Sequence, residues 1–247
     1  MNMAAESANQ MLEIVEFGSM NGQSSLEQGI VNAPNNTSGP CLFITGSTSS
    51  LGNTTGHAAS TQVDINGTIS TVEGDGYRAI SYRGMENPWG NLWSMIGGFT
   101  VTGSGNSHGG TPYICKNFNY TPTAVGNNYD DIGFDLPSNC DGYINAMGYG
   151  KEEYDWIFLP VECSTNATSL LPIGDGLWAS PNLNNTTIVA TGGSYGQKEL
   201  CGLFNYAADR TVDDSARVNY GAKLLFIPTK NNIYTANIAK WETYMGG

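Results

Sequence analysis

Charged residues are scarce in this chain, and basic residues are the scarcest. Only 13% of the 247 residues are charged, about half the usual share of roughly 25% in soluble domains. Ten lysines and arginines stand against 22 aspartates and glutamates, which gives a formal net charge of -12. Phosphate backbones and anionic lipid surfaces repel such a chain. We therefore expect no nucleic-acid partner, and a carbohydrate or protein ligand remains open.

A long apolar run is also missing. No stretch approaches the roughly 18 apolar residues that a membrane-spanning helix needs. The first residues contain neither the basic segment nor the apolar segment of a secretory signal peptide. We therefore expect no membrane insertion and no signal peptide.

Cysteine and histidine are too few and too scattered to indicate a metal or redox site. The sequence has no C-x-x-C pair, and its two histidines are His57 and His108. Asp213 and Asp214 could offer oxygen ligands to calcium, but no loop has the spacing of an EF-hand. We expect no metal and no other cofactor, and thiols rather than disulfides, which are rare in proteins made in the cytosol. The five cysteines are Cys41, Cys115, Cys140, Cys163 and Cys201.

Glycine, asparagine, serine and threonine supply the polar character instead. The 32 glycines are close to twice the usual share of about 7%. They favour a β-rich fold with many turns over a helix bundle. Because no linker or internal repeat divides the chain, we expect one domain over residues 11–230. Residues 1–10 are predicted to form a short N-terminal arm, and residues 231–247 a C-terminal extension.

Hydrophobic spacing predicts the first elements. Met11–Phe17 alternates enough for a strand, and Ser19 could cap a helix that runs to Val31. Trp89, Leu92, Trp93 and Ile96 follow the i, i+3, i+4, i+7 spacing of a short helix with both tryptophans buried. Further strands are predicted at Cys41–Thr45, Gln62–Ile65, Tyr77–Tyr82, Asp155–Leu159, Thr186–Thr191, Leu203–Ala207 and Lys223–Ile227.

Three motifs resemble those of a known fold family. Tyr82–Trp93 (YRGMENPWGNLW) is similar to a G-N-x-W segment, and Gly192–Tyr195 (GGSY) to a G-G-S-W/Y segment. Asn219–Phe226 (NYGAKLLF) resembles the closing strand of the same proteins. Order and spacing match the formylglycine-generating-enzyme-like branch of the C-type lectin fold. The resemblance implies an α+β, C-type-lectin-like single domain.

A closer resemblance is to phage and prophage structural proteins of this fold. It rests on the same Tyr-Arg-Gly motif and on three further segments, Glu16–Leu26, Thr45–Asn53 and Ala146–Trp156, and it covers about residues 11–230. It implies a virion protein that is made in the host cytoplasm and displayed on the particle, with other virion proteins as partners. A polar arm would fit attachment to a fibre tip, where homotrimers are common.

The same branch contains an oxidase, which this sequence does not resemble where its chemistry occurs. That enzyme needs two cysteines shortly after the G-G-S motif, and here Cys201 stands alone. Soft Cu(I) ligation needs at least two sulfurs. The acidic residues Glu152, Glu153 and Asp155 recur in the resembling phage proteins as a structural segment. We therefore expect no catalytic residues and no enzyme activity.

The binding surface is predicted in the last loop system, between Gly193 and Gly221. It offers aromatic area and adaptable hydrogen-bonding groups, a mixture typical of recognition surfaces. The same residues could instead pack one protomer on another. The predicted ligand-binding residues are Tyr195, Gln197, Phe204, Asn205, Tyr206, Asp209 and Arg210, with Lys198 beside them.

The predicted function is therefore non-catalytic binding of a host-surface glycan or protein receptor by a tail-tip, fibre-tip or head-fibre adhesin. The alternative is a decoration protein that stabilises the virion without host contact. The sequence names neither the ligand nor the host.

Overall fold

The computed structural model describes residues 1–32, 44–62, 67–103, 109–116, 120, 128–138, 142–179, 185–211 and 217–224. Helices α1 (Met3–Phe17) and α2 (Gly22–Ser25) occur there with many short strands, so the α+β class is confirmed. Single 3₁₀ turns occupy Ser49–Leu51, Glu152–Tyr154 and Lys198–Leu200. The strands are β1 (Gly56–His57), β2 (Thr61–Gln62), β3 (Ile69–Ser70), β4 (Ile80–Tyr82), β5 (Met85–Glu86), β6 (Trp93–Thr102), β7 (Thr111–Cys115), β8 (Tyr129–Asp131), β9 (Tyr143–Tyr149), β10 (Phe158–Ser164), β11 (Leu177–Ala179), β12 (Thr186–Thr191), β13 (Tyr206–Thr211) and β14 (Tyr220–Gly221).

Helix α1 replaces both the predicted arm and the predicted first strand. Asn2 caps its start by accepting a hydrogen bond from the Ala5 amide at 3.0 Å. Gly18 ends it in the left-handed conformation, with φ of 64°. The prediction of a strand at Met11–Phe17 is wrong because these residues continue a helix that is already capped and docked.

The polar side of α1 faces inward. Its buried residues are Met3, Glu6, Ser7, Gln10 and Glu13, which share one helical face. Gln10 donates to the Leu203 carbonyl at 2.8 Å. Val15, in contrast, is 82% exposed. Met11 is also exposed, at 39%, whereas Ile14 packs against the main core. The apolar residues of the second half of the helix are therefore split between two sides, which is why the hydrophobic pattern did not reveal a helix.

Helix α2 is a single turn rather than the predicted helix from Ser19 to Val31. Asn21, not Ser19, caps it and accepts a hydrogen bond from the Ser24 amide at 3.0 Å. Gly22 is required there, since a Cβ atom would lie 2.7 Å from Cη2 of Trp89. The chain then extends, and Ile30 forms bridges to Tyr77 and Gly90.

The segment from Trp89 to Ile96 is a turn followed by a strand, and the prediction of a helix there is wrong. Asn87, Gly90 and Asn91 have φ of 46°, 69° and 55°, values that a right-handed helix excludes. The predicted burial is confirmed: Trp89 is 1% exposed and Trp93 is 3% exposed. The helical spacing therefore reflected two buried side chains on opposite sides of a sharp turn.

The three motifs of the resemblance meet at this turn. The Gly90 amide donates to the Gly192 carbonyl at 3.0 Å, and the Tyr195 amide donates to the Asn91 carbonyl at 3.0 Å. The Trp93 amide donates to the Asn219 carbonyl at 2.9 Å. Three segments that are far apart in sequence thus form one hydrogen-bonded junction.

The central sheet runs in the order β11-β13-β12-β6-β7-β8, and β14 pairs with the start of β6. β11 is parallel to β13 and β14 is parallel to β6, whereas the other pairs are antiparallel. Smaller sheets are formed by β1-β4-β5, by β9 with β10, and by β2 with β3.

The two faces of the central sheet have different surroundings. On the core face, Val101, Val189 and Tyr206 join the main hydrophobic core, and α1 packs there, since Gln10 reaches the Tyr206 hydroxyl at 2.7 Å. On the outer face, Trp93 packs against Ala190 and Ala207.

Other strand predictions have mixed outcomes. Thr186–Thr191 is confirmed as β12, and Tyr77–Tyr82 contains β4. The predictions at Asp155–Leu159 and Leu203–Ala207 begin too early, because β10 starts at Phe158 and β13 at Tyr206. Gln62 ends β2. Most of Cys41–Thr45, Gln62–Ile65 and Lys223–Ile227, and all of 231–247, lie outside the described residues.

The cysteines differ from the expectation of thiols throughout. Cys163 is disulfide-bonded, so the expectation is wrong for this residue. Cys115 and Cys201 are thiols. Cys41 and Cys140 lie outside the described residues.

Candidate functional site

Four of the seven predicted ligand-binding residues are buried. Tyr195 is 3% exposed, Phe204 and Asn205 are 0% exposed, and Tyr206 is 1% exposed. A ligand outside the molecule cannot reach these side chains, so the prediction that they form an exposed patch is wrong.

Phe204, Asn205 and Tyr206 hold the fold together. Phe204 belongs to the main hydrophobic core. The Tyr206 hydroxyl accepts a hydrogen bond from Gln10 at 2.7 Å and donates one to the Phe158 carbonyl at 3.2 Å. The amide of Asn205 donates to the Leu200 carbonyl at 2.5 Å. Buried polar groups need such partners, and these bonds explain why a buried part of the loop contains polar residues.

Tyr195 and Gln197 are parts of the motif junction. Tyr195 packs with Ile30, Ala58 and Ala79 in a small core cluster. The Gln197 side chain accepts a hydrogen bond from the Ser194 amide at 2.8 Å. Lys198 is exposed but adopts a left-handed backbone with φ of 52° in the following turn.

Asp209 and Arg210 remain at the surface. Their side chains form an ion pair at 3.5 Å and are 23% and 37% exposed, respectively. Arg210 lies opposite Ile188 in the β12–β13 ladder. Directly opposed residues of neighbouring strands share a face, and Ile188 lies two residues before Ala190, so Arg210 lies on the outer face.

The outer face carries an aromatic cluster next to Arg210. The Trp178 ring meets the Trp93 ring edge-on, with centroids 5.5 Å apart. Tyr220 stacks on the other side of Trp93 at 6.2 Å and an interplanar angle of 22°. Trp93 is buried, whereas Trp178 and Tyr220 are half-buried. We call Trp93, Trp178, Tyr220 and Arg210 the outer-face cluster.

The sheet register explains how these rings come together. Trp178 lies opposite Ala207, and Ala207 lies opposite Ala190. Tyr220 lies opposite Trp93 across the parallel pair. The two small alanines leave room for the Trp93 indole, and aromatic pairs of this kind stabilise a fixed geometry.

The electrostatics of the cluster are nearly balanced. Burial and the neighbouring Asp209 raise the pKa of Tyr220, while a hydrogen bond from Arg210 acts in the opposite direction. The phenol is therefore neutral at physiological pH, and the charges of Asp209 and Arg210 offset each other. Such a surface can stack on a ligand and exchange hydrogen bonds with it, without relying on ligand charge.

The sequence analysis did not predict that Trp178 and Tyr220 lie close together. Trp178 follows the Gly174-Asp175-Gly176 turn, and Tyr220 lies in a motif that was interpreted as structural. Their proximity depends on the parallel pairing of β11 with β13 and of β14 with β6. No local signal in the sequence indicates those pairings.

A second unusual cluster consists of buried carboxyl groups. Burial raises the pKa of Glu6 to about 7, although Lys223 acts against the shift. Burial and the proximity of Glu6 raise the pKa of Glu13 to about 8. Burial and Glu13 raise the pKa of Asp175, whose carboxylate accepts a bond from the Phe204 amide at 2.8 Å. These groups lie beneath α1, away from the surface.

The described residues considered for catalysis are either buried, exposed in a turn, or close to glutamate side chains. Cys201 is buried, its thiol donates to the Ser194 carbonyl at 3.3 Å, and burial raises its pKa. Glu152 and Glu153 are exposed in a 3₁₀ turn. His57 lies 3.4 Å from Glu27 and 3.6 Å from Glu73. His108, Asp213 and Asp214 lie outside the described residues.

In the part of the chain that the structure describes, no cluster of three or more His, Cys, Asp or Glu side chains could hold a metal ion. No helix among the described residues is long and apolar enough to cross a membrane. Comparison with protein-family models, with curated proteins and with solved structures gave no significant match.

Proposed function

We propose that this chain is a non-catalytic phage virion protein that binds a host-surface receptor or glycan, and that the outer-face cluster contacts the ligand. The observation that carries the proposal is the partly exposed pair Trp178 and Tyr220, stacked around Trp93 beside Arg210. Aromatic and arginine side chains are the residue types most enriched among the anchors of binding surfaces.

The C-type-lectin-like form of the α+β fold is part of this proposal. The hydrogen bonds among Gly90, Asn91, Gly192 and Tyr195 support it, because they join motifs that were identified separately in the sequence. A chance similarity of short motifs gives no reason for the motifs to meet in space. The virion setting rests on the resemblance to phage structural proteins.

The cluster suits a ligand that is not strongly charged. The net charge of -12 prevents affinity through phosphate or anionic lipid attraction. Trp178 and Tyr220 are rigid, so they lose little conformational entropy when a sugar ring or an apolar side chain packs on them. A single site of this size binds weakly, and many copies on a particle would raise the avidity by about 10²–10⁴.

The test is binding of the purified protein, multimerised on beads, to cells of candidate bacterial hosts. We expect Tyr220→Ala and Arg210→Ala each to reduce bound beads at least about tenfold under multivalent conditions, where small losses of site affinity are multiplied. The matched control is Tyr149→Ala, because Tyr149 is an exposed tyrosine of β9 and packs on Phe158 rather than on the outer face. Thermal melts establish that each variant is folded.

Equal binding by the parent and both variants would show that the outer face is not the contact surface. If the multimerised parent binds no host cell, the alternative of a virion decoration protein becomes the better explanation. Exposed apolar side chains such as Val15, Leu171 and Val218 would then be candidates for contacts with neighbouring virion proteins. Imaging of the intact particle distinguishes an adhesin from a decoration protein, since an adhesin lies at a distal tip and a decoration protein lies on the capsid or tube lattice.

A further inference from the structure

A cavity of about 230 Å³ lies where the start of α1 meets β6, β7 and the Glu152–Tyr154 turn. Ile114, one of its lining residues, belongs to the main core, so the cavity lies on the core side of the sheet and apart from the outer-face cluster. We propose that it binds a single neutral hexopyranose ring. The proposal does not depend on the outer face being a binding surface.

The floor of the cavity is closely packed. A Cβ atom on Gly98 would lie 2.1 Å from Cε1 of Tyr120, and one on Gly97 would lie 3.0 Å from its Cε2. The Tyr120 ring therefore packs directly on the backbone of two glycines. The Gly97 amide also donates to the Met1 carbonyl at 2.8 Å, which ties this part of β6 to the start of α1. Tyr120 is 40% exposed, so part of its ring is available to a ligand.

Tyr154 and Trp156 form an aromatic wall. Their ring centroids are 6.5 Å apart with an interplanar angle of 66°. The Trp156 indole N–H donates to the Glu153 carbonyl at 3.2 Å, which fixes the orientation of the ring. Lys151 lies over the Tyr154 ring at 5.9 Å. Because these contacts exist in the ligand-free protein, little ordering is required on binding.

A polar edge adjoins the aromatic wall: Lys116 lines the cavity, and Asp130 is not itself a lining residue but pairs with Lys116 and Tyr154, which are. Asp130 accepts a hydrogen bond from the Tyr154 hydroxyl at 2.7 Å and forms an ion pair with Lys116 at 2.9 Å. These two partners lower the pKa of Asp130, so the carboxylate is ionised at neutral pH. The ammonium and the carboxylate are 44% and 28% exposed, which leaves both accessible to further hydrogen bonds.

The combination of aromatic wall and polar edge selects the ligand class. A sugar hydroxyl both donates and accepts, so it can serve the carboxylate, which only accepts, and the ammonium, which only donates. The C–H surface of a pyranose ring packs on aromatic rings. A phenyl or alkyl side chain from a partner protein would displace water from Lys116 and Asp130 without replacing its hydrogen bonds, and that loss opposes binding.

The volume of the cavity and the charges around it restrict the ligand class further. Cavities for drug-sized ligands are about 300–1,000 Å³, so 230 Å³ suits one ring rather than an oligosaccharide. Lys116 is already neutralised by Asp130, and the chain has a net charge of -12. An acidic or phosphorylated sugar is therefore disfavoured relative to a neutral one.

The experiment is saturation-transfer NMR on the full chain with glucose, galactose, mannose and N-acetylglucosamine, each titrated separately. Glucose 6-phosphate and sialic acid are the charged comparators. We expect at least one neutral sugar to bind with a dissociation constant on the order of 1 mM, as suits a ligand of few atoms. Trp156→Ala and Asp130→Asn should each weaken that binding about tenfold or more, Trp156→Phe should restore part of it, and Tyr149→Ala should leave it unchanged.

The absence of binding by every neutral sugar at roughly 50 mM, far above a millimolar dissociation constant, would overturn the proposal. Tighter binding of a charged comparator would overturn the assignment of a neutral ligand. Unchanged binding in folded Trp156→Ala protein would place the sugar elsewhere. None of these results bears on the cell-binding test of Tyr220 and Arg210, so the two proposals fail separately.

Discussion

The two faces of the central sheet divide the predicted binding loop between them. Phe204, Asn205 and Tyr206 lie on or beneath the core face and are buried, whereas Arg210, four residues beyond Tyr206, lies on the outer face and is partly exposed. The core face is covered by the polar side of α1, and the outer face carries the aromatic cluster. The β12–β13 ladder has a register shift between the Ile188–Arg210 pair and the Ala190–Ala207 pair, so Tyr206 and Arg210 face opposite sides of the sheet although they lie four residues apart in one strand.

This contrast shows why residue type alone does not identify a binding surface. Tyrosine, asparagine and phenylalanine suit ligand recognition, yet here three of them satisfy internal hydrogen bonds or fill the core. Trp178, which the sequence did not single out, is half-buried on the outer face. Three substitutions test this contrast between the faces.

The largest loss of stability is expected for a substitution on the core face. Phe204 is fully buried in the main hydrophobic core. Phe204→Ala should reduce the free energy of unfolding by about 3–5 kcal/mol, since it removes buried apolar area and leaves a cavity. Urea denaturation followed by circular dichroism measures the loss. A reduction below about 1 kcal/mol, typical of a surface position, would contradict the assignment of this residue to the core.

The second effect is a pH dependence of the stability, which arises from the carboxyl groups buried beneath α1. The pKa of Glu13 is raised from 4.5 to about 8. Above pH 4.5 the unfolded chain releases a proton that the folded chain keeps, so stability falls as the pH rises towards 8. Glu6 and Asp175 are shifted in the same direction and add to the loss.

Glu13→Gln tests this pH dependence. The variant carries no ionisable group at this position, so it should match the parent near pH 4.5. It should exceed the parent at pH 8 by about 4 kcal/mol, because the pKa of Glu13 is raised from 4.5 to about 8 and each pKa unit corresponds to about 1.4 kcal/mol. The pKa of Lys223 is lowered from 10.5 to about 8. Well below pH 8 this lysine is therefore protonated in the folded and in the unfolded protein, and it adds little to the pH dependence there. Melting temperatures at pH 5, 6, 7 and 8 give the result, and parallel curves for parent and variant would refute it.

The smallest effect on stability is expected on the outer face. Arg210 is partly exposed, forms an ion pair with the neighbouring Asp209 and donates a hydrogen bond to Tyr220. Arg210→Ala should change the free energy of unfolding by about 0.5 kcal/mol or less, as surface substitutions usually do. Guanidinium titration of the parent and the variant measures the change. A loss above about 2 kcal/mol would show that Arg210 supports the fold, and its role in binding would then need another explanation.

The parts of the fold that were predictable follow strong local patterns. Thr186–Thr191 is a β-branched run with turn residues before and after it, and it forms β12 as predicted. The burial of Trp89 and Trp93 followed from their size and spacing. The helix predicted around them was wrong because the left-handed residues Asn87 and Asn91 are not recognisable from periodicity.

Helix α1 and the outer-face cluster were not predictable for a different reason. The buried face of α1 is polar, so its docking depends on partners such as Thr191 and Tyr206, nearly 200 residues away. The cluster of Trp93, Trp178 and Tyr220 is likewise assembled from strands that are distant in sequence. Long-range pairing determines both features, and one sequence without its structure does not contain that information in readable form.

The polar residues on the buried face of α1 determine how the docking of this helix depends on temperature. Exposure of apolar surface raises the heat capacity on unfolding, whereas exposure of polar surface lowers it. Because the buried face of α1 is formed largely by Glu6, Ser7, Gln10 and Glu13, release of this helix contributes little to the heat-capacity change or reduces it. Apolar contacts weaken on cooling, but hydrogen bonds such as that from Gln10 to Leu203 do not share that dependence. Helix α1 should therefore stay docked at low temperature, where the apolar contacts of the core contribute less.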